Sequence, residues 1–239
     1  MPRWVVPPIT FAHRGGRAEA PENTLDAFTE ALAQGAAGLE SDVRLSGDGE
    51  AMLIHGTHLR RGLRRLAVAS SPAARLAEAG VPRLTDLYAA LGADFELSLD
   101  LKEPGTAPVV LDAARAAGAV GRLWLCAAAV ETLVGVRAAD PDVRLVHSMG
   151  RRRYGDTLEL HAAALARQGV AALNLQEREW SAGLVALVHR FGLAAFAWDV
   201  QETRRLRALL VMDIDAVYSD HVDRMVATVG EWSVGGEGG

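Results

Sequence analysis

Short apolar runs alternate with longer stretches in which apolar residues recur every three or four positions, along most of the chain. The short runs are typical of buried strands, and the longer stretches of helices with one apolar face. The pattern predicts strands at Ile9–His13, Gly38–Leu45, Phe95–Leu101, Leu123–Ala127, Val143–His147, Ala171–Leu175, Leu193–Trp198 and Ile214–Ser219. It predicts helices at Thr24–Gln34, Leu84–Leu91, Ala107–Ala117, Ala129–Ala138, Leu158–Gln168, Ser181–Phe191 and Thr203–Leu210, and a last helix that begins at Val222.

Eight alternating strand and helix units in about 230 residues are typical of a closed (β/α)8 barrel, or TIM barrel, with an outer ring of helices. An open doubly wound α/β sheet is the alternative. It is less favoured because neither a GxGxxG motif nor a P-loop follows the first strand. No linker divides the chain, so we predict one domain at residues 1–230 and a disordered tail at residues 231–239.

A small hairpin interrupts the repeat after the second strand. The turn residues Gly47–Gly49 are followed by a short apolar run, which predicts a strand that returns towards the barrel. With the tip of the hairpin at the first two residues of that turn, His55 would lie opposite Glu40. In the same register, Leu53 would lie opposite Asp42. The hairpin would therefore carry His55 back to the mouth of the barrel.

The segment that follows, residues 57–81, is rich in arginine, alanine and serine. We predict a basic, mobile excursion near the mouth of the barrel. A solvated surface loop is favoured over a cover for a substrate.

Composition limits the function classes. Half of the 239 residues are hydrophobic and the net charge is −5, which implies no general affinity for nucleic acid or for anionic membranes. The single cysteine, Cys126, cannot form an internal disulfide, which favours a reducing compartment. Prolines interrupt the first residues where a signal peptide needs an apolar run, and no run is long enough to span a membrane. We therefore expect a cytoplasmic protein without stable membrane insertion.

The end of the first strand carries the first candidate site residues. His13 and Arg14 follow an apolar run and precede Gly15 and Gly16, which allow a tight turn and a close approach of the backbone to a ligand. A titratable imidazole and a permanent cation over a glycine turn suit an anionic substrate.

The second and third barrel strands add acidic residues. Glu40 and Asp42 share one face of a strand because side chains alternate, and Asp100 and Lys102 repeat the arrangement on the next barrel strand. Three carboxylates at one barrel end suit a hard divalent cation, Mg²⁺ or Ca²⁺. The alternative is that Glu40 and Asp42 are capped or form ion pairs with Arg14 and Lys102.

Two histidines beside a cation site suggest acid–base chemistry on a phosphate ester. His13 and His55 would exchange protons with the nucleophile and the leaving alkoxide, while Arg14 and Lys102 would stabilise charge on the phosphoryl oxygens. Trp198, at another strand end, would either contact a polyol or alkyl group or belong to the barrel core.

Further polar residues carry less weight in this prediction. His147 ends a strand at the same rim and would either line the pocket or be structural. Glu22 and Asn23 would brace the first loop by hydrogen bonds. We expect His161 and His189 to lie on the helix surface.

Seven segments together resemble the glycerophosphodiester phosphodiesterases: AHRGG, APENT, LESDVRLSGDG, IHG, LDLK, AFAWDVQ and DIDAVYSDHVD, in that order between Phe11 and Val222. The resemblance implies a (β/α)8 barrel and hydrolysis of glycerophosphodiesters to an alcohol and glycerol 3-phosphate, with one divalent cation and a role in lipid or glycerol metabolism. It implies that His13 and His55 are the acid–base pair. It also implies that Arg14, Lys102 and Trp198 bind the substrate, and that Glu40, Asp42 and Asp100 hold the metal.

Three positions depart from the pattern of that family. Gly56 stands where the family usually has Asp after the second histidine, Asp100 stands for Glu, and Asp199 stands for Thr. Two alternatives follow: a lysophospholipase D or sphingomyelinase D-like activity on a lipid, and a barrel that binds a phosphoester without turnover because of Gly56.

Overall fold

The computed structural model describes residues 7–61, 64–103, 105–149 and 158–235. Strands and helices alternate along the chain as the apolar pattern predicts. In chain order the elements are β1 (Ile9–His13), α1 (Leu25–Ala33), β2 (Gly38–Leu45), β3 (Ala51–Leu53), β4 (His58–Arg61), β5 (Arg64–Ala67), α2 (Ala73–Glu78), α3 (Leu84–Leu91), β6 (Glu96–Leu101), α4 (Thr106–Ala116), β7 (Leu123–Ala127), α5 (Val130–Ala139), β8 (Arg144–Ser148), α6 (Leu158–Arg167), β9 (Ala172–Gln176), α7 (Ala182–Arg190), β10 (Ala194–Trp198), α8 (Thr203–Val211), β11 (Ala216–Ser219) and α9 (Val222–Gly235).

Eight parallel strands close into a barrel. Their order is β1, β2, β6, β7, β8, β9, β10 and β11, and the ring closes because β1 pairs with both β2 and β11. The predicted (β/α)8 barrel is confirmed, and each predicted barrel strand begins and ends within two residues of the observed one. Parallel closure places the carboxyl ends of all eight strands on one rim.

Two apolar layers hold the barrel together. Phe11, Trp124, Phe196 and Tyr218 fill its interior, where the rings of Phe11 and Tyr218 stack with their centroids 4.8 Å apart. Side chains on the opposite face of the strands, such as the fully buried Leu39, pack against the surrounding helices. This double burial explains why barrel strands such as β7 and β10 are nearly continuous apolar runs in the sequence.

The hairpin after β2 forms, but its register differs by one residue from the prediction. Leu53 lies opposite Val43. The prediction had placed Leu53 opposite Asp42 and His55 opposite Glu40, and it is wrong by one position.

The turn of this hairpin explains the shift. The backbone N–H of Ser46 donates to the carbonyl of Glu50 at 2.9 Å. This hydrogen bond closes a turn of three residues, whereas the prediction assumed a turn of two. Gly49 has a φ of 87°, as the last residue of such a three-residue turn requires. His55 lies beyond the last paired residue of β3, so contacts with other side chains position it.

The basic segment after β3 is folded where the sequence suggested a mobile loop. It contains the antiparallel hairpin β4–β5 and helix α2, which cover a small apolar cluster. Leu59 and Leu66 pack against this cluster, which consists of Met52, Ile54, Val68, Ala73, Leu76 and Val81. Residues 62 and 63 at the hairpin tip lie outside the described residues.

The carboxyl-terminal helix extends into the predicted tail. Helix α9 continues to Gly235, so residues 231–235 are helical and do not belong to the disordered tail that we expected. Residues 236–239 lie outside the described part of the chain. Among the described residues, no helix has the length and apolar character needed to cross a bilayer.

Candidate active site

A cleft of about 470 Å³ opens at the rim formed by the carboxyl ends of the barrel strands. This is the face on which barrels of this type carry their active sites. All the residues that the sequence marked as catalytic, substrate-binding or metal-binding line this cleft: His13, Arg14, Glu40, Asp42, His55, Asp100, Lys102 and Trp198.

The loop after β1 needs its two glycines. Arg14, Gly15 and Gly16 have φ values of 51°, 82° and 87°, a run of left-handed conformations that side chains disfavour. A Cβ atom on Gly16 would also lie 2.7 Å from Cγ2 of Val222. The turn directs the backbone N–H of Arg14 at Oε2 of Glu40, 3.0 Å away, and so ties the loop to the neighbouring strand.

Hydrogen bonds brace the same loop, as expected for Glu22 and Asn23. The backbone N–H of Asn23 donates to the carbonyl of Arg14 at 2.9 Å, and the hydroxyl of Ser41 donates to Oδ1 of Asn23 at 2.7 Å. Nη1 of Arg14 donates to Oε2 of Glu22 at 3.1 Å. The position of the Arg14 guanidinium is therefore set by several contacts.

Asp42 lies at the centre of the charged groups. Its Oδ1 is 2.7 Å from Nζ of Lys102, and its Oδ2 is 3.1 Å from both Nε of Arg14 and Nδ1 of His55. Burial opposes ionisation of this carboxyl, but the Lys102 and Arg14 charges outweigh burial and hold the pKa of Asp42 below its usual range. Asp42 is thus an anion that orients two cations and one imidazole.

Glu40 and Asp100 complete the acidic side of the cleft. Glu40 is buried, and this burial raises the pKa of its carboxyl above the usual range. Oδ2 of Asp100 lies 2.5 Å from Nζ of Lys102. The ion pairs of Asp42 with Arg14 and Lys102 correspond to the alternative that the sequence left open.

The donor set nevertheless fits a hard divalent cation. Within the described ranges, no three acidic, histidine or cysteine side chains already surround a single metal position. However, Oδ2 of Asp42 is buried, and neither Nε of Arg14 nor Nδ1 of His55, each 3.1 Å away, meets it with hydrogen-bond geometry. A divalent cation would bind such an oxygen, and it would also favour the charged form of the buried Glu40.

His13 has a partner that was not predicted from the sequence. Its Nδ1 lies 2.5 Å from Oδ1 of Asp220, and its Nε2 lies 3.7 Å from Oε2 of Glu40. Burial favours the neutral imidazole, but the hydrogen bond to Asp220 and the charge of Glu40 outweigh burial and raise the pKa of His13. Asp220 directly follows β11. Its position at the end of a barrel strand is the feature of the sequence from which a place in the cleft could have been predicted.

His55 is held by side chains from two other strand ends. Its Nδ1 lies 2.9 Å from Nη2 of Arg14 and 3.1 Å from Oδ2 of Asp42, and nearly half of the side chain is exposed. Gly56 offers no carboxylate beside it, but Asp42 supplies one from β2. The departure at Gly56 therefore leaves His55 with an acidic neighbour.

Trp198 borders the cleft and does not belong to the barrel core, because 37% of its surface is exposed. The next residue, Asp199, has a φ of 65° and also lines the cleft. Its carboxylate accepts hydrogen bonds from the side-chain amides of Gln176 at 3.1 Å and Gln201 at 3.3 Å. The aromatic side of the cleft thus carries an oriented carboxylate.

The remaining candidate histidines lie away from the cleft. His147 is fully buried, and its ring centroid lies 5.1 Å from that of His161, on α6. His189 is half-buried, and its Nε2 lies 2.7 Å from Oδ2 of Asp215. The surface positions expected for His161 and His189 are wrong, because the α6 and α7 faces that carry them turn towards the barrel. For His147 the structural alternative is correct.

His147 should make the protein sensitive to acid. Burial and the neighbouring His161 lower the pKa of His147 to about 4 from the ordinary 6.5. Between these two pH values the unfolded chain binds a proton that the native chain does not. The free energy of unfolding should therefore fall by about 3 kcal/mol on acidification through this window. His147→Gln should reduce this fall in urea titrations from pH 7 to pH 4, whereas the exposed control His58→Gln should not. An equal fall in all three proteins would contradict the assignment.

Comparisons with known proteins agree with this geometry. The model of the glycerophosphoryl diester phosphodiesterase family matches residues 13–224. A glycerophosphodiester phosphodiesterase of Bacillus altitudinis is 51% identical over 51 residues, which cover 21% of each chain. The chain thus matches only about a fifth of the length of this curated relative.

Solved structures match over nearly the whole chain. A glycerophosphodiester phosphodiesterase of Thermotoga maritima superposes with a TM-score of 0.80 at 22% identity, covering 92% of this chain and 97% of the other. An Oleispira antarctica phosphodiesterase, solved with the product sn-glycerol-3-phosphate, superposes with a TM-score of 0.81 at 22% identity, covering 93% and 97%. These likenesses show the fold. Because the family model spans most of the sequence, the chain belongs to the glycerophosphoryl diester phosphodiesterase family.

Proposed function

We propose that this protein hydrolyses glycerophosphodiesters to an alcohol and glycerol 3-phosphate with the help of one divalent cation. The observation that carries the proposal is the cleft itself, which brings two imidazoles, two fixed cations and three carboxylates together. Membership of the family and the product bound to the Oleispira antarctica phosphodiesterase support it. The cytoplasmic location stays a prediction from the sequence.

His13 and His55 are the proposed acid–base pair. The neutral imidazole accepts the proton of the attacking hydroxyl as the new P–O bond forms, and the imidazolium donates a proton to the leaving alkoxide as the old P–O bond breaks. The attacking group is either water or the hydroxyl of the substrate's own glycerol. In the second case water then opens the cyclic phosphate, so both routes add one water molecule overall.

Arg14 and Lys102 are the proposed phosphate ligands. Both side chains are more than three-quarters buried, and both are held against the Asp42 carboxylate, Arg14 at 3.1 Å and Lys102 at 2.7 Å. Fixed cations in a site of low water content stabilise the charge that develops on phosphoryl oxygens. Trp198 would contact the glycerol portion of the substrate.

Glu40, Asp42 and Asp100 would hold the divalent cation. When bound, Mg²⁺ or Ca²⁺ supplies Lewis-acid stabilisation of the phosphoryl charge. Lys102 forms ion pairs with both Asp42 and Asp100, so its positive charge balances part of the negative charge of these carboxylates.

An assay with purified protein tests the proposal. Glycerophosphocholine, glycerophosphoethanolamine and lysophosphatidylcholine would be supplied separately, with and without Mg²⁺ or Ca²⁺, and the products followed by ³¹P NMR. The proposal expects release of glycerol 3-phosphate from the first two. Turnover of only the lysolipid would favour a lysophospholipase D-like enzyme, and absence of all turnover would favour a barrel that only binds phosphoesters.

Asp100→Asn should weaken metal binding more than it weakens folding. The substitution keeps the shape of the side chain but removes the charge of an oxygen ligand, so we expect the metal dissociation constant to rise by at least about tenfold. Calorimetric titration with Ca²⁺ measures this constant. Asp94→Asn is the control, because Asp94 is exposed and pairs with Arg122 outside the cleft. An unchanged titration for Asp100→Asn would refute its role as a ligand.

Asp220→Asn should lower kcat by disturbing the orientation of His13. The amide cannot stabilise a positive imidazolium as the carboxylate does at 2.5 Å, so we expect a loss of about 10²-fold. If His13 donates the proton to the leaving group, the loss should shrink with bis(4-nitrophenyl) phosphate, whose leaving group needs no proton. Asp220→Glu should recover part of the rate. A loss on both substrates that matches an equal fall in thermal stability would mean that Asp220 acts only on the fold.

A further inference from the structure

Residues 51–77 have one sign of charge in a chain that is acidic overall. No aspartate or glutamate occurs from Ala51 to Ala77, although the whole chain has 30 acidic residues and a net charge of −5. The same segment carries five arginines, which are Arg60, Arg61, Arg64, Arg65 and Arg75. Four of the five lie on the hairpin β4–β5.

The hairpin turns a basic face outward. Leu59 and Leu66 lie opposite each other and pack on the apolar cluster beneath, so the alternating residues of both strands lie on the other face. There, Arg60 lies directly opposite Arg65, and both are exposed. Nη2 of Arg65 lies 3.3 Å from Nδ1 of His58 on the same face.

Among the described residues, this basic face has no acidic partner. In the described ranges, no carboxylate lies within ion-pair distance of Arg60 or Arg65, whereas most other arginines around the barrel pair with an acid. Like charges directly opposite each other weaken a pair of strands. An anion placed between the two guanidinium groups would turn this repulsion into attraction.

The basic face follows the cleft residue His55 after only a few residues of chain. Only Gly56 and Thr57 separate His55 from His58, so their Cα atoms are at most about 11 Å apart. The Arg65 guanidinium reaches back to His58, on the side of the hairpin nearest to His55. A substrate that reaches from the cleft to this face must extend beyond His55, as one with a second phosphate one glycerol unit away from the first does.

We propose that the outer face of the β4–β5 hairpin, formed by His58, Arg60 and Arg65, is a second anion subsite. It binds a further phosphate on the alcohol portion of the substrate and so selects glycerophosphodiesters that carry more than one phosphate. This inference rests on the proposed hydrolysis at the neighbouring cleft. The chemistry at the scissile phosphate is unchanged, and the hairpin contributes only to binding.

Two substrates that differ by one phosphate test the proposal. Glycerophosphoglycerol carries a single phosphate, and bis(glycerophospho)glycerol carries two. For the wild type we expect kcat/KM per cleavable bond to be about tenfold higher with the second substrate, mainly through KM, and this preference should decline as salt increases. The double variant Arg60→Ala/Arg65→Ala should lose the preference and leave turnover of glycerophosphoglycerol unchanged.

The control is Arg122→Ala/Arg207→Ala, which removes the same charge from exposed arginines that already pair with Asp94 and Glu231. This control should keep the preference.

Equal kcat/KM per bond for both substrates in the wild type, or an unchanged preference in the hairpin variant, would overturn the subsite. If the hairpin variant instead lost only binding to phosphatidylglycerol vesicles, the face would be a membrane contact and the proposal would be wrong. Hydrolysis of glycerophosphocholine but of neither of these two substrates would overturn only the subsite, whereas failure on all three would refute the proposed function itself.

Discussion

Replacement of His13 or His55 by alanine is expected to lower kcat for glycerophosphocholine by about 10²- to 10⁴-fold, the range that positioned proton transfer contributes. The reason is that each imidazole lies in the cleft with one nitrogen oriented by a carboxylate, Asp220 for His13 and Asp42 for His55. KM should change much less, because Arg14 and Lys102 remain to bind the phosphate. Steady-state assays of both variants give kcat and KM separately.

Leaving-group chemistry then separates the two roles. With bis(4-nitrophenyl) phosphate, the variant that lacks the general acid should recover much of its rate, whereas the variant that lacks the general base should not. His58→Ala is the matched control, because this histidine is exposed on the hairpin and should leave the turnover of glycerophosphocholine unchanged. Thermal unfolding of each variant should stay close to that of the wild type. A near-full rate in either cleft variant would show that its histidine is misassigned.

Removal of divalent cations should have the second large effect. We expect EDTA to lower turnover by at least about 10²-fold, because metal ions contribute several kcal/mol to the stabilisation of phosphoryl charge. Without a cation, Glu40, Asp42 and Asp100 would also repel an anionic substrate, since Lys102 balances only part of their charge. Stopped assays on EDTA-treated protein measure the loss.

Add-back of ions provides the control for the chelation experiment. Mg²⁺ or Ca²⁺ in excess over EDTA should restore the rate, whereas the same concentration of Na⁺ should not. Circular dichroism spectra with and without EDTA should coincide, because the ion pairs of the cleft keep these acids partnered. Turnover that survives EDTA at full rate would contradict the metal assignment.

The barrel could be predicted from the sequence because its strands are buried on both faces. Short apolar runs such as Leu123–Ala127 are typical of strands buried in this way, and their regular alternation with helices leaves few topologies. Parallel closure then places all strand ends on one rim. Residues at those ends, such as Glu40 and Lys102, could therefore be assigned to one cleft without knowledge of any distance.

Contacts between side chains could not be predicted in the same way. The register of β2 and β3 depends on whether two or three residues form the turn. The positive φ of Gly49 corresponds to the turn of three residues. Asp220 follows the last strand and meets His13 only because the barrel closes. The fold of the basic segment depends on a small local cluster under Leu59 and Leu66, which is too short a pattern to read in advance.

Crystals grown with Ca²⁺ and glycerol 3-phosphate would test most directly whether this rim is a metal-dependent phosphodiesterase site. We expect one anomalous calcium peak, with carboxylate oxygens of Glu40, Asp42 and Asp100 at about 2.3–2.6 Å and with the phosphate beside His13. A phosphate bound elsewhere, or a rim in which Lys102 still bridges Asp42 and Asp100 and no calcium peak lies within reach of these acids, would contradict it.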